Sequence, residues 1–237
     1  MKNSSCIMAQ RELRSYFSSP IAYIVGCLFL VFSGILFFST FFLVNRAELR
    51  NFFSILPILL SFFVPAITMR LLSEEKRIGS FETLLTLPVT PLEIVSAKFI
   101  AGFLSSAFLL LPTLFYVITA ASFGTIDAGP VIGGYVGALF LIGAFTAIGL
   151  FASSITKNQI IAFFIAFAVC ALLSFMSSFL VLLPPSAVAL LSFFSATAHF
   201  DSIARGIIDS RDLLYFISIT AVFFGFTVKS IQNGMRG

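Results

Sequence analysis

The chain has 237 residues, of which 59% are hydrophobic and 10% charged, with a formal net charge of +4 and a mean hydropathy of +1.09. No soluble domain of this size needs so much apolar surface, so the bilayer must be the solvent for much of the chain. Lipid cannot satisfy exposed backbone groups, and the expected class is therefore an all-α integral membrane protein.

The first segment, residues 1–19, carries RELR ahead of SYFSSP. From Ile7 to Phe17 charged residues alternate with Ile7, Leu13, Tyr16 and Phe17. This pattern predicts an amphipathic helix lying in the membrane interface, with Arg11, Glu12 and Arg14 as its charged residues. Its polar lead is long and the apolar run that follows is span-length, unlike the short core of a cleavable signal.

Six stretches are long enough to cross a hydrocarbon core as helices: Pro20–Val44, Phe52–Met69, Phe99–Phe123, Val131–Ile155, Ile160–Leu183 and Leu213–Val228. The last is short and is expected to borrow flanking residues. Pro57 and Pro65 in the second span and Pro112 in the third predict kinks whose freed carbonyls are satisfied by neighbouring groups. Gly133 and Gly137 form a small-xxx-small pattern in the fourth, which suits close packing within the chain or a subunit interface. Cys27 and Cys170 fall inside apolar runs, where a thiol packs as a small hydrophobe, and with Cys6 they give neither a disulfide framework nor metal spacing.

Between the second and third spans lies EEKRIGSFETLLTLPVTPLEIVSAK, Glu74 to Lys98. Ser80 can cap a short helix with Phe81, Leu84 and Leu85 on one face and Glu82 and Thr83 turned away, and Pro88 closes it. A second helix then starts with Thr90 as N-cap, Pro91 in the first turn and Glu93 three residues after the cap, a capping box. Val89 and Ile94 stand where a hydrophobic staple would form. A helix of about two turns is not stable alone in water and must rest on something. Glu74, Glu75 and Glu82 suit an anionic leaflet poorly, so a protein socket is favoured over the membrane surface.

After the fifth span, Leu182–Phe200 has a break at Pro184-Pro185 and then an apolar run too short to span, which predicts a re-entrant or outer helical hairpin over residues 184–212. His199 lies near Asp201, and without an accompanying nucleophile or second ligand it reads as a hydrogen bond or cap rather than a catalytic group.

Orientation follows from Lys and Arg. With the N-terminus inside, Lys2, Arg11, Arg14, Arg70, Lys76, Arg77, Lys98, Lys157, Lys229 and Arg236 are cytoplasmic, while Arg46, Arg50, Arg205 and Arg211 are outside. Ten against four places both termini in the cytoplasm and residues 73–98 in a cytoplasmic loop. None of the six spans carries Asp, Glu, Lys, Arg or His in its interior, which argues against an ion-coupled carrier. No phosphate-binding loop of the Walker type occurs, so the chain is not expected to be an enzyme that hydrolyses ATP by that route.

The segment Glu74–Lys98 closely resembles the cytoplasmic coupling segment of type-2 ABC transporter permeases. The matching positions are Glu74, Glu75, Lys76, Gly79, Ser80, Glu82, Leu84, Leu85, Pro88, Glu93 and Lys98. The interfacial helix, the six spans and the hairpin fit that family's layout. RELRSYFSSPIAYI and HFDSIARGIIDSRDLLYF resemble the permeases of gliding-motility ABC systems in particular. The resemblance implies one permease domain over residues 1–237 in a bacterial inner membrane, paired with a second copy or a related permease. It binds no cofactor, because ATP and Mg belong to a separate ATP-binding subunit. That subunit's cleft takes Phe81, Leu84 and Leu85, and Glu74, Glu75, Lys76 and Arg77 set the orientation. An outer accessory protein and membrane lipid are further implied partners, and nucleic acid is not. The resemblance implies an exporter, or alternatively a non-transporting scaffold that transmits ATPase motion to an outer partner.

Overall fold

Six helices long and apolar enough to cross a membrane emerge in the computed structural model, which describes residues 4–44, 49–80, 89–124, 126–179, 192–207 and 209–236. In chain order the helices are α1 (Ser4–Phe17), α2 (Pro20–Val44), α3 (Arg50–Thr68), α4 (Arg70–Ile78), α5 (Pro91–Ala107), a 3-10 turn (Phe108–Leu110), α6 (Leu114–Phe123), α7 (Ala128–Ile155), α8 (Gln159–Phe179), α9 (Ala196–Ala204) and α10 (Ser210–Arg236). The spans are α2, α3 with α4, α5 with α6, α7, α8 and α10. No strand occurs among the described residues. The expected helix after Ser80, through Pro88, and the expected break at Pro184-Pro185 lie outside the described residues; the described part of the hairpin region contains α9.

The second and third spans are longer than the apolar runs alone suggest. The second continues past Met69 into the polar α4, and the third begins at Pro91, eight residues before its apolar stretch. In both cases capping chemistry rather than hydropathy sets the boundary. Gly79, at φ +81°, closes α4 in the left-handed conformation, and the Thr90–Glu93 capping box opens α5. The sixth span, Ser210–Gly234, is likewise longer than its apolar core, because Asp209 Oδ1 accepts from the Arg211 backbone N–H (3.1 Å) at its start.

Pro112 interrupts the third span, as expected. The chain tightens into the 3-10 turn, where Leu111 N donates to Phe108 O (3.2 Å) and the Thr113 hydroxyl donates to Leu110 O (2.7 Å). Helix α6 then restarts at Leu114. The backbone groups that proline strands are satisfied locally by these shorter bonds.

Helix α7 is the axis of the bundle. Of its apolar window 78% is buried, against 22% for α2 and α8 and 17% for α10. It packs on α3, α4, α5, α8, α9 and α10. Lipid tails are as apolar as leucine, so helix association here must come from close approach, dispersion and interhelical hydrogen bonds. A Cβ at Gly133 would lie 2.2 Å from the backbone oxygen of Ile203 in α9, and one at Gly149 would lie 1.9 Å from Thr68 Oγ1 in α3. Gly137 faces Phe200 and Ile203 of the same chain. The small-residue seam thus packs within the subunit.

Hydroxyls add crosslinks. Thr197 donates to Ser174 O (2.6 Å) and Ser174 to Pro57 O (3.3 Å), joining α9, α8 and α3. Ser33 and Tyr116 share a hydrogen bond of 3.1 Å between α2 and α6, and Thr113 and Tyr135 one of 3.0 Å. Phenylalanines fill the space between them; Phe29, Phe53, Phe145, Phe200 and Phe216 are fully buried.

Gly133→Ala is expected to cost about 1–3 kcal/mol, because the obstacle is backbone and cannot swing aside. Gly143→Ala, whose Cβ would stop 3.8 Å from Phe103, is expected to be neutral or slightly stabilising. Thermal unfolding of both variants in detergent checks the contrast, and equal losses would refute the packing account.

Candidate functional site

The charged segment and α1 meet at one side chain. Lys98 sits about two turns into α5, with its side chain only 4% exposed. Its ammonium donates to Glu75 Oε1 on α4 (2.7 Å), to Glu12 Oε1 on α1 (3.3 Å) and to the Leu71 carbonyl of α4 (2.6 Å). An ammonium has three hydrogens and no acceptor, so this set satisfies it completely. The capping box that starts α5 fixes where Lys98 falls: Glu93 N donates to Thr90 Oγ1 (3.3 Å), and Glu93 Oε2 accepts from Thr90 N (2.9 Å). Val89 and Ile94 pack in one cluster with Leu72, Val95, Leu150 and Ile231.

A second anchor holds α4 to α7. The Ser153 hydroxyl accepts from the backbone N–H groups of Leu72 and Ser73, both at 2.9 Å, and donates to Met69 O (2.9 Å). These three groups belong to the turn at Met69 where α3 gives way to α4. Inserting a hydroxyl there satisfies the broken ladder and ties the junction to the central helix. Lys76 Nζ donates to the Ser154 carbonyl, which also accepts from Ser230 Oγ of α10 (3.4 Å). Arg70 pairs with Glu74 (3.3 Å) and donates to Ser19 Oγ in the elbow between α1 and α2 (3.2 Å).

Helix α1 is therefore laid on protein. It packs along α5, with Phe17 edge-on to Phe108 (5.0 Å between ring centres). Burial pushes the Tyr16 hydroxyl up to about 12, although the Arg70 charge pulls the other way.

Of the residues singled out in the sequence, Glu12, Glu75 and Lys98 come together, with Leu71 as an unforeseen fourth member. Glu74 and Lys76 are engaged within the chain, at Arg70 and Ser154. Arg11, Arg14, Arg77, Gly79 and Ser80 are exposed, and Glu93 serves its cap. Phe81, Glu82, Leu84, Leu85 and Pro88 lie outside the described residues. Ser153 was not legible as special, because serines are common in these spans and only the turn at Met69 gives this one its partners. The remaining Glu75 oxygen, Oε2, is buried with no partner among the described residues.

At the opposite end of the bundle His199 bonds to Asp212 rather than to its sequence neighbour Asp201: Nδ1 lies 2.7 Å from Asp212 Oδ1, and Nε2 lies 3.0 Å from the Phe193 carbonyl. Burial raises the Asp201 carboxyl against the pull of Arg205 and Arg50. Among the described residues no three His, Cys, Asp or Glu side chains stand where they could hold a metal ion.

A family model described as ABC-2 family transporter protein matches residues 46–229 of the chain. No curated protein matches it.

Replacing Lys98 by Met leaves two carboxylates facing each other without a cation. The expected loss is about 2 kcal/mol, below the range for fully buried pairs because Glu12 and Glu75 keep 31% and 22% side-chain exposure. Adding Glu75→Gln should restore more than half of it in detergent unfolding. Strict additivity of the two substitutions would show that the junction is not energetically coupled.

Proposed function

Because the chain belongs to the ABC-2 transporter family, it is a multi-pass permease subunit of an ABC transporter with an ATP-binding partner subunit, and we propose that it couples that partner's ATP hydrolysis to export of a substrate. The coupling element is the segment between α4 and α5, with Phe81, Leu84 and Leu85 seated in the ATP-binding subunit. The chain lies in a bacterial inner membrane with both termini in the cytoplasm, as the excess of Lys and Arg at the Lys98 end indicates. It pairs with a second permease, and the resemblance of RELRSYFSSPIAYI and HFDSIARGIIDSRDLLYF to the permeases of gliding-motility systems supports a kinship with that branch.

The observation that carries this reading is the Lys98 junction. Both arms that lead to and from the segment 81–88 are clamped to each other and to α1, and the α4 arm is bonded through Ser153 to the central helix. A push on the segment then moves the end of the second span and the start of the third together rather than flexing a loop. ATP acts by favouring one conformer through the differential affinity of its subunit, and rigid arms transmit the difference. Ile78 and Leu92, exposed at the tips of the two arms (66% and 59%), supply apolar surface on either side of the proposed socket.

Charge reversal at Arg77 and Glu82 combined with Leu84→Asp tests the docking. Glu75 is left intact so that the Lys98 junction survives. Recovery of the ATP-binding subunit on co-purification should fall by at least about tenfold, the scale of losing a central apolar anchor. Undiminished recovery with a folded variant would sink the assignment.

A further inference from the structure

A second feature lies far from Lys98, at the His199 end. It is a cleft of about 1000 Å³ between α8, α9 and α10. Its walls are apolar, with Leu173 from α8 and Leu214, Val222 and Phe223 from α10, and its polar end carries His199, Arg211 and Asp212. Leu214 and Val222 are 60% and 50% exposed, so the apolar wall opens sideways along the sixth span. The size matches the upper range of small-molecule sites.

The polar end is almost fully committed. Both ring nitrogens of His199 are engaged, one by Asp212 Oδ1 and the other by Phe193 O. The imidazole stacks on Tyr215 (4.2 Å between ring centres), whose hydroxyl donates to Phe194 O (2.6 Å). Asp209 Oδ1 accepts from the Arg211 backbone N–H as the α10 cap. The Arg211 side chain is exposed, and among the buried side-chain oxygens and nitrogens of the described cleft residues one is left over. Asp212 is 7% exposed, and its Oδ2 is buried with no hydrogen-bond partner among the described residues. A buried carboxylate oxygen without a donor is costly, and what relieves it best is a donor that also carries positive charge.

We propose that this cleft binds an amphiphile with a protonated amine head, its chain against Leu173, Val222 and Phe223 and its ammonium donating to Asp212 Oδ2. A hydroxyl head would supply the donor without the charge, and a sulfate head would supply neither. The shared chemistry, a primary ammonium on an aliphatic tail, belongs both to free alkylamines and to ethanolamine phospholipids. The site goes beyond the coupling function and stands whether or not an ATP-binding subunit docks at the opposite end.

The chain has no tryptophan, so Leu214→Trp at the exposed wall gives a single reporter. In phosphatidylcholine nanodiscs, dodecylamine should produce a saturable change in its emission at a concentration about tenfold lower than dodecan-1-ol or dodecyl sulfate, the scale of one charge-assisted hydrogen bond. Asp212→Asn, which keeps an acceptor for His199, should erase that preference in the Leu214→Trp background. Replacing part of the phosphatidylcholine by phosphatidylethanolamine distinguishes the sources: competition with dodecylamine assigns the site to the membrane lipid, and its absence assigns it to free amines. Equal responses to the amine and the alcohol, or a preference untouched by Asp212→Asn, would overturn the proposal.

Discussion

An ammonium group withdrawn from water has to find an acceptor for each of its three hydrogens, and at Lys98 all three come from two other helices. That requirement fixes more of the molecule than any hydrophobic contact does. It draws α1 down along α5, holds α4 against both, and puts the two ends of the charged segment side by side. Without it α1 would keep its packing along α5 and the Ser19 elbow but lose the contact of Glu12 with Lys98. With it, three elements widely separated in sequence behave as one body at one end of the bundle.

The rest of the bundle obeys a different rule. Apolar area gains little when lipid is the alternative neighbour, so the helices are held by how closely their backbones approach and by which hydroxyls find carbonyls. Helix α7 meets both demands, with glycines where α3 and α9 cross it and Ser153 where α4 begins. The central helix is therefore also bonded directly to the start of α4. Stiff packing around it and a hydroxyl inserted at the Met69 turn make a mechanical connection from the charged end into the membrane-spanning part.

The two ends of the bundle use the same device differently. At each, a carboxylate pairs through one oxygen with a basic side chain and leaves the other oxygen buried and without a partner among the described residues: Glu75 Oε2 beside Lys98, and Asp212 Oδ2 beside His199. The Lys98 end is dense, with the ammonium fully enclosed, and reads as a clamp. The His199 end adjoins a wide apolar cleft and reads as a place for a ligand's head group.

Much of this was legible in the residues themselves. Composition alone fixed the solvent, because so few charges in so apolar a chain leave only helices in lipid, and the six spans followed from length. Local chemistry placed the capping box at Thr90, the break at Pro112 and the amphipathic helix before Pro20, since each depends on neighbours a few positions away. What the sequence could not show is which distant groups meet. Lys98 read as the end of a motif, and its partners Glu12 and Leu71 are set by helix crossing angles that no local spacing encodes. His199 stood nearest Asp201 in the chain but faces Asp212, because the turn between α9 and α10 folds back at Gly206, whose φ of +87° only glycine adopts without strain. Gly133 and Gly149 announced a close approach, yet only the packed bundle decided that α9 and α3 of the same chain would occupy it.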